Sequence, residues 1–245
     1  MIVNIKHLNK TYGEKKVLDN ISMTIINPGI YAIVGPNGTG KSTLLNSMVN
    51  LITIDDGEIE LVGKSHKDRK VFHSVSFLKD HTVLYPYLTG RDHINFATSV
   101  YGSNKRFVED MIDKFNLEGF LDQKIETYSL GMRQILLIAL AILNDGELII
   151  LDEPLNGLDP SRIFEMRELF RELARKGKTI LLSSHNLSEI EAVTNKVFFL
   201  KEGKLIYHEL DAKHGEKLEN IYKSYYLEKN KKDAFIDKHL YSEIE

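Results

Sequence analysis

The chain has 245 residues, 42% hydrophobic and 27% charged, which is the make-up of an ordinary globular protein built as one large domain or two intimate ones. Its 32 Lys and Arg against 35 Asp and Glu leave a net charge of −3, so it lacks the basic surplus that binding to nucleic acid requires. The absence of cysteine excludes a disulfide scaffold, a thiolate zinc site and a cysteine nucleophile.

Residues 1–10 carry no apolar block behind their charges, so no signal peptide is expected, and Ile2, Asn4 and Lys6 alternate with Val3, Ile5 and His7 as a strand does. Residues 17–26 predict a second strand, ended by the turn cluster Asn27-Pro28-Gly29. Residues 30–34 form a short apolar strand that ends in glycine. The segment Gly35-Pro36-Asn37-Gly38-Thr39-Gly40-Lys41-Ser42-Thr43 follows, and Leu44, Leu45, Met48, Val49 and Leu51 then recur at helical spacing. From about residue 79 to 143 the pattern is mostly helical, with a loop at Tyr85-Pro86-Tyr87. The longest apolar run, residues 135–143, is far short of the roughly 18 residues of a membrane span, so any work at a membrane goes through a partner and the chain itself is expected in the cytosol. A strand over 148–151, a helix over 160–176 stopped by Gly177, a β-rich run over 179–183 and a hairpin over 196–207 complete the main pattern. Leu218, Ile221, Tyr222 and Tyr225 make one more amphipathic stripe, and residues from 229 onward are charge-rich, expected as a solvated extension.

Residues 35–42 match G-x-x-x-x-G-K-S between a strand and a helix. Glycine lets backbone N–H groups turn inward around phosphate oxygens where a Cβ would obstruct. Lys41 reaches the β- and γ-phosphates, Ser42 can place its hydroxyl on Mg²⁺, and the helix that follows presents its positive end. The apolar run 148–151 ends in Asp152-Glu153-Pro154, which puts two carboxylates at the edge of a sheet where α/β folds bind ligands. Asp152 is then the Mg²⁺ acid and Glu153 the group that polarises an attacking water. Tyr128-Ser129-Leu130-Gly131-Met132 precedes an apolar helix, with Ser129 as its cap; a capped buried helix accounts for that segment in isolation.

In this order, these motifs resemble the ATP-binding subunit of an ABC transporter, from about residue 2 to 226. The resemblance implies a P-loop ABC cassette of the α/β class: a mixed sheet core, an antiparallel N-terminal β-subdomain, a helical subdomain inserted at about 80–145, and a charged extension over 227–245. It identifies Ser129, Leu130, Gly131 and Met132 with the signature segment that closes on the ATP of a second cassette. The first glycine of that signature is Leu130 here and its glutamine is Met132. It makes Asp159 a residue of communication across the dimer, His185 the switch histidine on the γ-phosphate, and Tyr12 the aromatic that stacks on adenine. Where the family has a coupling glutamine this chain has Asp80, which leaves direct metal binding and a loosened coupling both open.

The stretch from Leu84 to Asp92 and the signature variant Ser129-Leu130-Gly131-Met132 resemble those of peptide, antibiotic or drug exporter cassettes with a separate permease, held on the cytoplasmic face of the membrane. A small-solute importer cassette and a binding-only sensor of nucleotide are the alternatives. Glu153 together with His185 favours an active ATPase, because a binding module needs neither. A soluble P-loop kinase lacks the signature segment and needs an acceptor site that no motif here suggests.

Overall fold

The computed structural model describes residues 1–211 and 214–227; beyond Leu227, the charged extension lies outside the described residues. The chain opens with two long antiparallel strands, β1 (Val3–Tyr12) and β2 (Lys15–Ile25), whose alternate apolar residues face one buried side. With β4 (Asp56–Leu61) and the two-residue β5 (Lys64–Ser65) they form a four-stranded sheet ordered β2-β1-β4-β5. This is the antiparallel unit that the family resemblance implies.

The second sheet has six strands: β3 (Gly29–Val34), β6 (Val75–Leu78), β7 (Leu148–Leu151), β8 (Thr179–Ser184), β9 (Lys196–Lys201) and β10 (Lys204–Glu209). Their order is β10-β9-β3-β8-β7-β6, parallel throughout except for the final hairpin of β9 and β10. Strands buried on both faces read as continuous apolar runs, and β3 shows why. Its Tyr31 and Ile33 point into a core shared with β1, β2 and the helix α1 (Lys41–Met48). Its Ile30, Ala32 and Val34 point into a second core, shared with the helices α4 (Leu130–Leu143) and α5 (Pro160–Arg175).

The stretch expected to be mostly helical is more broken than its periodicity suggests. It holds three separate helices, α2 (Gly90–Tyr101), α3 (Lys105–Lys114) and α4, and a second irregular segment runs over 115–129. Asn116 at φ 51° turns the chain out of α3. Residues 125–127 make only a single 3-10 turn before Ser129 starts α4. Short elements without a forecast include the β4–β5 hairpin, the 3-10 helix Arg69–His73 and the five-residue helix α6 (Leu187–Glu191). The helix α7 (Leu218–Tyr226) carries the last amphipathic stripe. Among the described residues, no helix is long and apolar enough to cross a membrane.

Strand order positions the chemistry. β3, β8, β7 and β6 are parallel neighbours, and at their carboxyl ends stand, in turn, Gly35, His185, Asp152 with Glu153, and Lys79 with Asp80. Residues more than a hundred positions apart in the chain therefore meet along one sheet edge, where open α/β sheets bind ligands.

Candidate functional site

The glycine loop bends sharply between β3 and α1. Gly38 has φ 77° and Gly40 φ 108°, a region that residues with a Cβ rarely adopt. At Gly40 a Cβ would also stand 2.8 Å from Val17 Cγ1, so the β1–β2 hairpin packs directly on the loop. No side chain caps α1 and no acid occupies its first turn. The N–H groups of Lys41, Ser42 and Thr43 have no carbonyl within the helix to bond, which makes them donors for an anion. The Lys41 ammonium is buried beneath the loop, 2.7 Å from Gly35 O and 3.3 Å from Pro36 O. Thr39 folds the loop on itself by donating its hydroxyl to Pro36 O at 2.8 Å.

Opposite the loop stands Glu153. Its Oε1 is 3.7 Å from Lys41 Nζ and its Oε2 is 3.0 Å from His185 Nδ1. Asn156 Nδ2 donates to the same Oε2 at 3.4 Å. Residues 41, 153 and 185, far apart in sequence, thus form one contiguous polar cluster. Glu153 has φ 48°, an uncommon backbone for a non-glycine residue and one often found at functional positions. Its neighbour Asp152 is held through Ser183, a residue that sequence reasoning passed over. The fully buried Ser183 hydroxyl donates to Asp152 Oδ1 at 2.5 Å and accepts the Glu153 N–H at 2.9 Å. A lone serine inside a β-run gives no chemical signal in sequence; only the pairing of β7 with β8 reveals it.

Ser129, Leu130, Gly131 and Met132 gather elsewhere. The Ser129 hydroxyl caps α4 by accepting the Met132 N–H at 3.2 Å. Leu130 is half exposed and lies over Gly157, where an added Cβ would fall 2.5 Å from Leu130 Cδ2. Asp159 caps α5 by accepting the N–H groups of Ser161 and Arg162, with Pro160 in the first turn. This second cluster joins the first through buried Gln134, whose Nε2 donates to Pro154 O at 2.9 Å. Tyr12 ends β1, half exposed, with Lys10 Nζ 5.2 Å from its ring centre. Asp80 is exposed and caps a 3-10 turn, accepting the Thr82 N–H at 2.9 Å and the Thr82 hydroxyl. Those bonds hold its carboxyl below the usual carboxylate range.

The residues fit a magnesium nucleotide. Mg²⁺ takes oxygen ligands, commonly one or two protein oxygens alongside substrate phosphates, and Asp152 with the Ser42 hydroxyl is a donor set of that kind. The curved loop, the uncapped helix end and the buried ammonium would hold the nucleotide's phosphates.

Comparison with known proteins agrees with this geometry. The family described as "ABC transporter" matches residues 18–156, a span that includes the glycine loop, Ser129 to Met132, Asp152 and Glu153. The lantibiotic transport ATP-binding protein SrtF of Streptococcus pyogenes is 34% identical over 226 residues, covering 92% of this chain and 98% of its own length. The bacitracin transport ATP-binding protein BcrA of Bacillus licheniformis is 34% identical over 243 residues, covering 97% of this chain and 79% of its own. Among solved structures, the dimeric post-hydrolysis state of the cassette MJ0796 bound to ADP and Pi superposes with a TM-score of 0.74 at 25% identity, over 83% of this chain and 96% of that one. The glycine loop, the acid pair and the capped α4 stand on this sheet order, and the family match together with similarity along nearly the whole described chain makes the protein a member of the ABC transporter family, one of its ATP-binding cassettes.

Proposed function

We propose that this cassette hydrolyses ATP to drive export of a peptide antibiotic or a compound of that kind through a separate membrane permease. The observation that carries the reading is the cluster of Lys41, Glu153 and His185, with Asp152 oriented beside it by Ser183. The transport roles named for SrtF and BcrA support the substrate class.

ATP is the substrate, and the bound Mg²⁺ would neutralise charge on its phosphates. The chain's own residues do the rest. Lys41 exchanges its bonds to Gly35 O and Pro36 O for phosphate oxygens, and the N–H groups at the start of α1 hold the same anion. Glu153 takes the proton of the attacking water, and His185, 3.0 Å from its carboxylate, orients that carboxylate and meets the γ-phosphate. Tyr12 stacks on the adenine from the β1–β2 hairpin.

The second cluster serves another copy of the cassette. Ser129, Leu130, Gly131 and Met132 close on the nucleotide of a facing subunit, and Asp159 lies in the loop that reports between the two. The dimer seen in MJ0796 supports a pair of this sort. The permease docks in a groove of about 710 Å³ between the sheet end and the helices α2 and α4, lined by Phe77, Leu84, Tyr85, Phe96 and Val100. Lys79 also lines that groove, and Asp80, the next residue, connects it to the acid strand's edge. The docked cassette then sits on the cytoplasmic face of the membrane.

The test is ATP turnover and ATP binding in two variants. Glu153→Gln is expected to bind ATP as the parent does while turnover falls by about 10²–10⁴-fold, because the amide fills the same space without accepting a proton. Lys41→Ala is expected to lose tight ATP binding. Near-parental turnover in Glu153→Gln removes Glu153 as the base. A parent that binds ATP without hydrolysing it, with its permease present, replaces the ATPase reading by a nucleotide-sensing one.

A further inference from the structure

The last described helix touches the nucleotide loop at its root. Tyr226 ends α7, and its hydroxyl lies 2.8 Å from Leu200 O and 3.2 Å from Val34 O. β3 and β9 pair as far as Val34 and Phe199, so the phenol bridges the two strands just where their ladder stops and the glycine loop begins. The Val34 carbonyl shares its peptide with the Gly35 N–H; the bond therefore fixes the plane of the loop's first peptide. The next carbonyl along, Gly35 O, is the one that accepts the Lys41 ammonium at 2.7 Å. Even the glycine at 35 is accounted for here, since a Cβ would stand 3.3 Å from the phenol oxygen and 2.7 Å from Leu200 O.

The ring itself is held firmly. Tyr222 lies against it with centres 4.4 Å apart at 31°, and Lys201 Nζ lies 6.0 Å from its centre. Lys201 also donates to the Tyr225 carbonyl, a cation at the helix's negative end. Burial raises the Tyr226 phenol above its ordinary range, so it stays a protonated donor throughout physiological pH.

We propose that Tyr226 is a positioning residue for nucleotide binding: it holds the Val34–Gly35 peptide in place, and the docking of α7 thereby sets the affinity of the loop for ATP. The proposal rests on the reading of residues 35–43 as the ATP site. It makes the C-terminal helix a working part of that site and gives any event that lifts α7 a direct route to the phosphates.

Tyr226→Phe keeps the ring and removes only the hydroxyl. Titrating the full chain with ATP and Mg²⁺, we expect Kd to rise about threefold to tenfold, the range for losing one shared hydrogen bond, with kcat at saturating ATP nearly unchanged. Lys201→Met, which frees the helix end and leaves the phenol intact, should shift Kd in the same direction by less. Melting temperature without nucleotide separates the alternatives, because a packing role alone lowers it and leaves Kd at the parental value. Lys41→Ala in the same titration keeps the two claims apart. If the parent fails to bind ATP, or Lys41→Ala binds as well as the parent, the site reading fails. If Lys41→Ala loses binding and Tyr226→Phe matches the parent, the Tyr226 proposal alone is overturned. Should Tyr226→Phe not fold, a parental Kd in Lys201→Met overturns it.

Discussion

Ser183 orients two acids with one hydroxyl: the carboxylate of Asp152 and, through its backbone, the turn at Glu153. Ser183→Ala would strip the part-buried Glu153 N–H of its acceptor and free the Asp152 carboxylate to rotate. The cost expected for losing such a bond is about 0.5–1.5 kcal/mol, seen as a lower melting temperature. On the proposed chemistry, the Mg²⁺ concentration for half-maximal ATPase activity should also rise, while Ser183→Thr, which retains the hydroxyl, should recover it in part. An unchanged Mg²⁺ dependence in the alanine variant would reduce Ser183 to a packing residue. That Lys41, Asp152 and Glu153 would gather at one sheet edge was legible in sequence from covalent order: glycines then lysine, apolar strand then acids. Ser183 and Tyr226 were not, because their contacts form only when separate elements pack together. Tyr226 meets carbonyls 26 and 192 positions away, and no local pattern records that.

Elements follow the same division. β3, β7, β8 and the helices α1 and α5 were readable, since buried strands are unbroken apolar runs and α5 has Pro160 at its start and Gly177 after its end. β4 was missed because Asp56, Glu58 and Glu60 give it a polar face, and Gly57 at φ 107° marks a turn to the eye. Its Ile59 and Leu61 nonetheless reach the core. The residue that follows β5 has a pH consequence. His66, 3% exposed, places Nδ1 3.1 Å from Ile59 O, while its Nε2 has no partner. Burial, with the nearby charge of Lys67 adding to it, lowers the His66 pKa below its ordinary 6.5. The folded chain thus keeps this ring neutral where the unfolded chain would protonate it. The stability this contributes is complete above about pH 6.5 and is lost as pH falls below that value toward the folded-state pKa. Urea midpoints measured from pH 7.5 down to 5.5 should fall, and fall less in His66→Asn, whose amide can still donate to Ile59 O. Parallel pH curves for the two proteins would place the dependence on another group.

At the scale of the molecule, the decisive question about Ser129 is whether it does more than cap a helix. Ser129→Asp answers it, because aspartate caps as well as serine does yet brings a negative charge to a surface proposed to meet a triphosphate. Melting temperature and ATP binding by the single subunit should stay near parental, while ATP-driven dimerisation and hydrolysis fall, by size-exclusion and phosphate release. Parental hydrolysis would leave capping as the whole role of the segment. The fold was readable at this scale from the order of motifs. The groove beside Lys79 was readable only in part: the resemblance implies a groove near Asp80 and residues 84–88, whereas Phe77, Phe96 and Leu137 join its lining only when the sheet edge meets α2 and α4. One contact in that assembly also governs how the chain can change. Leu130 and Gly157 share one volume, with 2.5 Å between the leucine Cδ2 and the place a Cβ at 157 would take. Shortening Leu130 is open as a first step; enlarging Gly157 is not, both because of that collision and because its φ is 77°. A smaller residue at 130 removes the collision and leaves the left-handed backbone at 157 in place, so position 130 can vary while position 157 keeps its glycine.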